Sequence, residues 1–80
     1  MAKWVTFYED VFRGVQDLKI HQDRKTATEY FKSHYKSYFS NNIKLEIKLP
    51  MSYGYMHRRF YGMSKYMYEK THGSVPEVDK

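Results

Sequence analysis

The chain contains no cysteine, and it has only two prolines and four glycines among its 80 residues. The absence of cysteine excludes disulfide bonds and thiolate metal sites, which stabilise many small domains. A chain of this length forms one domain at most, and it buries only about 60–65% of the surface that its unfolded form exposes. Its stability must therefore come from self-association or from dense packing, for which one Trp, nine Tyr and five Phe are available.

Long apolar runs are also absent. No stretch of the sequence approaches the roughly 18 apolar residues of a transmembrane helix, and the first residues show no secretory signal. A chain without cysteine also suits a reducing compartment. We therefore expect no membrane contact and a cytoplasmic location, which is the host cytoplasm if a virus encodes the protein.

The sequence lacks the patterns of an active site. No nucleophile motif surrounds its serines, and no glycine-rich loop ends in the Gly-Lys-Ser/Thr of a phosphate site. The histidines are too far apart for a close-spaced pair of metal ligands on a helix; they are His21, His34, His57 and His72. We expect no enzymatic activity, no cofactor and no metal site.

Positive charge is concentrated in the middle of the chain. The net charge is +5, but residues 24–70 carry ten Lys and Arg against three Glu, and the segments on either side are slightly acidic. A field of this kind attracts polyanions or an acidic protein surface. The alternative is a charged face that is only solvated.

The first 23 residues carry a helical pattern. Within residues 4–18, apolar side chains such as Val11 recur at steps of three and four, and Phe7 and Phe12 widen the stripe, which predicts an amphipathic helix. Gly14 weakens this helix. The alternative is a strand that begins at Trp4, because residues 4–8 have high β propensity. A second helix is predicted to begin at Thr26, which forms a capping-box pattern with Glu29, and to end at residues 40–42.

Residues 43–49 alternate apolar and charged side chains and predict a half-buried strand that Pro50 ends. A lone strand needs a partner. The candidates are residues 18–20, the first residues of the chain if they are extended, or the same strand of a second copy, which would give a homodimer.

Residues 52–70 return to helical spacing and predict a third helix that closes near Gly73. Tyr53, Met56, Phe60, Met63 and Met67 form its apolar stripe. We therefore predict an α+β, helix-dominated fold, with about three helices and one short strand (43–49) between the second and the third. Residues 1–73 form the single domain and residues 74–80 a flexible tail.

Cations alternate with aromatic rings in residues 51–66, and the second predicted helix repeats this combination. Arginines can bind phosphates bidentately, and tyrosines can stack on bases. We predict binding to nucleic acid through the basic 24–70 region. The candidate contact residues are Arg58, Arg59, Tyr55, Tyr61, Lys65, Lys32, Lys36 and His57.

The second hypothesis is a protein-binding regulator or inhibitor, of the kind that viruses encode as accessory proteins, which docks on an acidic partner surface. Aromatic residues, Met and Arg are enriched in the cores of protein interfaces, and Met adapts to irregular partners.

Overall fold

The computed structural model describes residues 2–36 and 49–74. Each of these ranges contains a β-hairpin followed by a helix. The elements are β1 (Trp4–Asp10), β2 (Gly14–His21), α1 (Arg24–His34), β3 (Met51–Tyr55), β4 (Arg58–Ser64) and α2 (Lys65–His72).

The four strands form one antiparallel sheet in the order β2-β1-β4-β3. The central pair is β1 with β4, in a register that runs from Trp4 opposite Ser64 to Asp10 opposite Arg58. Because the central strands are antiparallel and each belongs to a different hairpin, the two hairpin turns emerge side by side at the same end of the sheet.

The two helices pack on opposite faces of the sheet. Trp4 and Tyr8 of β1 pack towards α1, on what we call the α1 face, and Val5 and Phe7 pack towards α2, on the α2 face. Alternation along a strand produces this division. Neither helix in the described ranges has the length and apolar character that a membrane-spanning helix requires. The core on the α1 face comprises Ala27, Phe31, Tyr35, Leu49 and Phe60, and the core on the α2 face comprises Val5, Phe7, Met63 and Tyr68.

The prediction of a helix-dominated fold with three helices is wrong. Residues 4–18 form most of a hairpin, β1 and β2, so the alternative of a strand that begins at Trp4 is the one observed. Since both faces of β1 are covered, Val5, Thr6 and Phe7 are all buried. A strand that is apolar on both faces contains enough apolar residues to match a helical spacing by coincidence.

The third predicted helix is also wrong over most of its length. Residues 52–64 contribute to β3, β4 and the turn between them, and only α2 is helical. The supposed stripe is therefore divided, since Phe60 and Met63 lie in different cores and Met56 is exposed in the turn. The predicted end of this helix is confirmed, because Gly73 is the C-cap residue of α2 at a positive φ of 85°.

The second predicted helix is confirmed as α1, with a different cap. Asp23 is the N-cap residue, and its Oδ1 accepts a hydrogen bond from the backbone N–H of Thr26 at 2.7 Å. The predicted end at residues 40–42 lies outside the described residues. The same holds for the strand 43–49, apart from the buried Leu49, for the homodimer that this strand could form, and for residues 75–80 of the predicted tail.

Gly62 offers a test of the packing on the α1 face. A Cβ atom at this position would clash with the side chain of Leu49, whereas a Cβ atom at Gly54 would lie 3.9 Å from Nε of Arg59. We expect Gly62→Ala to lower the free energy of unfolding by about 1–3 kcal/mol, as overpacked cores do, and Gly54→Ala to have a much smaller effect. Urea denaturation measures both, and equal effects would contradict the packing described for Leu49.

Candidate functional site

The two hairpin turns are joined to each other. The backbone N–H of Val11, in the β1–β2 turn, donates a hydrogen bond to the carbonyl of His57, in the β3–β4 turn, at 2.9 Å. We call the surface formed by Val11, Phe12, Arg13, Met56 and His57 the hairpin tip. It combines apolar side chains with an arginine and a histidine at one end of the sheet.

The carboxylate of Asp10 contacts both turns of the hairpin tip. Its Oδ1 accepts hydrogen bonds from the backbone N–H groups of Phe12 at 2.8 Å and Arg13 at 3.2 Å. Its Oδ2 lies 3.4 Å from Nε2 of His57 and 3.5 Å from Nε of Arg58. One side chain that is only 5% exposed therefore connects both turns.

Asp10 is ionised in this environment. Its pKa lies below the ordinary value, chiefly because the Phe12 amide donates to the charged form; burial opposes this shift, and His57 and Arg58 reinforce it. A buried carboxylate is tolerated when hydrogen bonds and opposite charges compensate its desolvation. The hairpin tip is therefore a pair of turns fixed by a buried charge.

The apolar side chains of the hairpin tip point into solvent. Val11 is 75% exposed, Phe12 82% and Met56 83%. Single exposed apolar residues are common, but a cluster of them on braced backbone is informative. The ring of His57 packs beside that of Phe12, with 5.7 Å between their centroids. The structure thus presents an apolar cluster with fixed backbone at the end of the molecule.

Arg58 and Arg59 lie on opposite faces of the sheet, because they are consecutive in β4. Arg58 contacts Asp10 and places its guanidinium 5.0 Å from the ring centroid of Tyr8, on the α1 face. Arg59 is exposed on the α2 face, opposite Glu9. Only Arg59 of the two presents its charge outward, so they do not act as one pair.

An open groove of about 530 Å³ runs beside the hairpin tip and reaches the α2 face. Its lining includes Gly54, Arg59 and Tyr61. The Tyr61 ring stacks on Phe7 at 4.9 Å, and burial together with a hydrogen bond to Glu9 raises the pKa of its hydroxyl. Tyr61 therefore belongs partly to the core, and Arg59 is an exposed cation of the groove, which Glu9 also lines.

The other candidate residues are dispersed. Lys32 lies on the exposed side of α1 and Lys36 just beyond its end. Lys65 begins α2, at the far end of β4 from the hairpin tip, and its Nζ is 4.0 Å from a carboxylate oxygen of Glu69. Tyr55 is the last residue of β3 and pairs with Arg58. The structure brings together His57, Arg58, Arg59 and Tyr61, and it separates the three lysines from them.

Sequence reasoning did not identify Val11, Phe12 and Arg13 as surface residues. The predicted helix over residues 4–18 placed Val11 and Phe12 on its apolar stripe. The available signal was Gly14, which has a φ of 78°, a conformation that glycine adopts at no steric cost. A glycine four residues after Asp10 suits a turn better than the middle of a helix.

The remaining acidic side chains near the sheet also contact neutral donors and histidines. Asp17 has a φ of 57° at an irregularity of β2, and it accepts a hydrogen bond from the Tyr35 hydroxyl at 3.0 Å and lies 3.1 Å from His34. Glu9 lies 3.5 Å from His72. Within residues 2–36 and 49–74, these groups do not gather into a set of three or more that could hold a metal ion.

Comparisons with protein-family profiles, with curated proteins and with solved structures found no match to this chain.

Asp10 gives a pH-dependent test of whether its charge stabilises the two hairpin turns. Asp10→Asn keeps an oxygen that can accept the amide hydrogen bonds but removes the charge. Because the pKa of Asp10 is lower in the folded chain than in the unfolded one, ionisation contributes stability above about pH 4, and this contribution is lost as the pH falls through the folded-state value. We expect Asp10→Asn to unfold at lower urea concentration than the wild type near neutral pH. The difference between their urea midpoints should narrow below about pH 4.

Glu29→Gln is the control, because Glu29 is an exposed carboxylate on α1. It should change the urea midpoint little at either pH. A difference in urea midpoint between the wild type and Asp10→Asn that stays constant down to about pH 2.5 would show that the charge of Asp10 does not stabilise the turns.

Proposed function

We propose that this chain is a non-enzymatic nucleic-acid-binding protein that contacts phosphates with its lysines and arginines. The observation that supports this proposal is the set of groups that the carboxylates contact. Asp10, Asp17, Asp23 and Glu9 direct their oxygens at backbone amides, histidines, a tyrosine hydroxyl and Arg58 rather than at lysines.

Apart from Lys65, whose Nζ lies 4.0 Å from Glu69, this arrangement leaves lysine charge for a partner. A carboxylate that accepts from a neutral N–H or O–H group satisfies its own hydrogen-bonding capacity without pairing with a lysine elsewhere. A lysine that is not paired keeps its full charge at the surface, where it adds to the field that attracts polyanions. Among the described residues, Lys25, Lys32 and Lys36 present such charge to solvent.

The outer side of α1 is the first part of the proposed interface. Lys25 and Lys32 are exposed there and Lys36 is exposed just beyond the helix end, whereas Ala27 and Phe31 are buried against the sheet. A spacing of seven places Lys25 and Lys32 along one side of the helix, and Lys36 follows four residues later, beyond the helix end. A row of cations at this spacing can follow a phosphate backbone, and each phosphate that it neutralises releases counterions.

The second part is the hairpin tip with Arg59. Arg13 is exposed in the first turn and Arg59 at the groove beside the second. Arginine binds phosphate with a planar set of donors. Arg58 has a different role, because its contacts with Asp10 and Tyr8 make it part of the support for the turns.

The second candidate function is a protein-binding regulator that docks on an acidic surface. The exposed Val11 and Met56 favour it, because aliphatic side chains contribute to protein interfaces and have no specific use at a phosphate. The two functions differ in their dependence on nucleic acid. A partner protein that is retained from a lysate after nuclease treatment would support this second candidate.

Paired lysine variants test the proposed function. Lys32→Ala/Lys36→Ala removes two charges from α1, and Lys65→Ala/Lys70→Ala removes two from α2, on the other face of the sheet. We expect the wild type to bind single-stranded DNA with an affinity that falls steeply with salt. The α1 variant should reduce the slope of log affinity against log salt by about 0.7 for each phosphate that it no longer neutralises, and the α2 variant should change it less.

Fluorescence anisotropy over a range of salt concentrations measures these slopes. Absence of binding to DNA and RNA at low salt would refute the proposed function. A larger effect of the α2 variant than of the α1 variant would indicate that the phosphate contacts lie on the opposite face.

A further inference from the structure

Phe12 is an aromatic ring without a place in either core. It is 82% exposed, although each core contains buried aromatic residues, for example Phe7 and Phe60. The ring cannot reach a core by a simple rotation of the turn, since the backbone N–H of Phe12 and that of Arg13 are both bonded to Asp10. The fold therefore holds this ring in solvent.

Two arginines and a histidine lie near the hairpin tip. Arg13 follows Phe12 in the turn, His57 packs beside it, and Arg59 lines the adjoining groove. The acidic group nearest in sequence, Asp10, is buried beneath the turn and faces His57 and Arg58. A partner at the hairpin tip therefore meets an exposed aromatic ring, with Arg13 next to it in the chain and Arg59 in a groove that Glu9 also lines.

We propose, on the basis of the proposed function, that Phe12 stacks on an unpaired base of single-stranded nucleic acid, while Arg13 and Arg59 contact the phosphates on either side. Aromatic stacking with flanking cations is the usual means of binding single strands without sequence preference. Val11 and Met56 complete an apolar surface around the base, and the open groove of about 530 Å³ provides a path for the strand.

The size of the hairpin tip favours a base over a protein. A stable protein interface buries about 800 Å² on each partner, and a tip formed by two short turns with three exposed apolar side chains provides only part of such an area. One base needs only one ring. Tyr61, which the sequence offered as a stacking residue, packs against Phe7, so Phe12 replaces it in this role.

An abasic strand separates stacking from phosphate binding, because it has every phosphate and no base. The probes are a labelled oligothymidylate of about 12 nucleotides and an abasic strand of the same length. We expect the wild type to bind the oligothymidylate about 10-fold more tightly than the abasic strand, as one stacked base would give. Phe12→Ala should remove this difference and leave the affinity for the abasic strand and the salt slope unchanged.

Two further variants make the test specific. Tyr66→Ala removes another exposed ring, at the first turn of α2 and 67% exposed, and it should leave both affinities unchanged. Phe12→Trp, which keeps an aromatic ring, should retain the preference for the oligothymidylate over the abasic strand. Since Phe12 is exposed, the urea midpoint of each Phe12 variant should match that of the wild type, so that unfolding does not explain a loss of binding.

The outcomes distinguish the two proposals. Equal affinity of the wild type for both strands would overturn the role of Phe12 and leave the phosphate contacts standing. No binding to either strand would remove the proposed function and the stacking role together. If Phe12→Ala abolished binding to a purified acidic protein partner without altering strand affinity, the hairpin tip would be a protein-docking surface and the stacking role would be wrong.

Discussion

The antiparallel pairing of β1 with β4 is the contact on which the other features of the molecule depend. It joins two hairpins into one sheet and aligns Asp10 with Arg58 at the last pair of its register. That alignment brings the β1–β2 turn beside the β3–β4 turn, where Val11 bonds to His57. Without this pairing each hairpin would be an isolated pair of strands, which is marginally stable in water.

The same pairing explains why local patterns misled the prediction of the fold. β1 lies in the centre of the sheet with a helix on each face, so it has apolar side chains on both sides. Its sequence does not alternate as that of an edge strand does, and periodicity alone does not distinguish such a strand from a buried helix. The information that decides between them is long-range, since Val5 and Phe7 face Met63 and Tyr68 from the other half of the chain.

Features determined by local chemistry were more predictable. Helix α1 was recognised because its aromatic spacing reflects one buried side, and the end of α2 was recognised from Gly73. The N-cap was missed by three residues, since Asp23 and Thr26 are both good capping residues and only the backbone conformation selects between them. The candidate site was predicted in part. His57, Arg58, Arg59 and Tyr61 come together, but the opposite orientations of the two arginines follow from β4 and not from composition.

Two properties of the hairpin tip do not by themselves stabilise the folded chain. An exposed cluster around Phe12 gains nothing from folding, and burying the carboxylate of Asp10 carries a desolvation cost that its partners must offset. Polar residues in a solvated turn avoid both costs. A fixed exposed ring becomes favourable when a partner covers it, since a braced turn loses little conformational entropy on binding. In the function that we propose, the buried charge of Asp10 supports the turn that carries Phe12, Arg58 acts through its contacts with Asp10 and Tyr8, and Arg59 acts through its own charge.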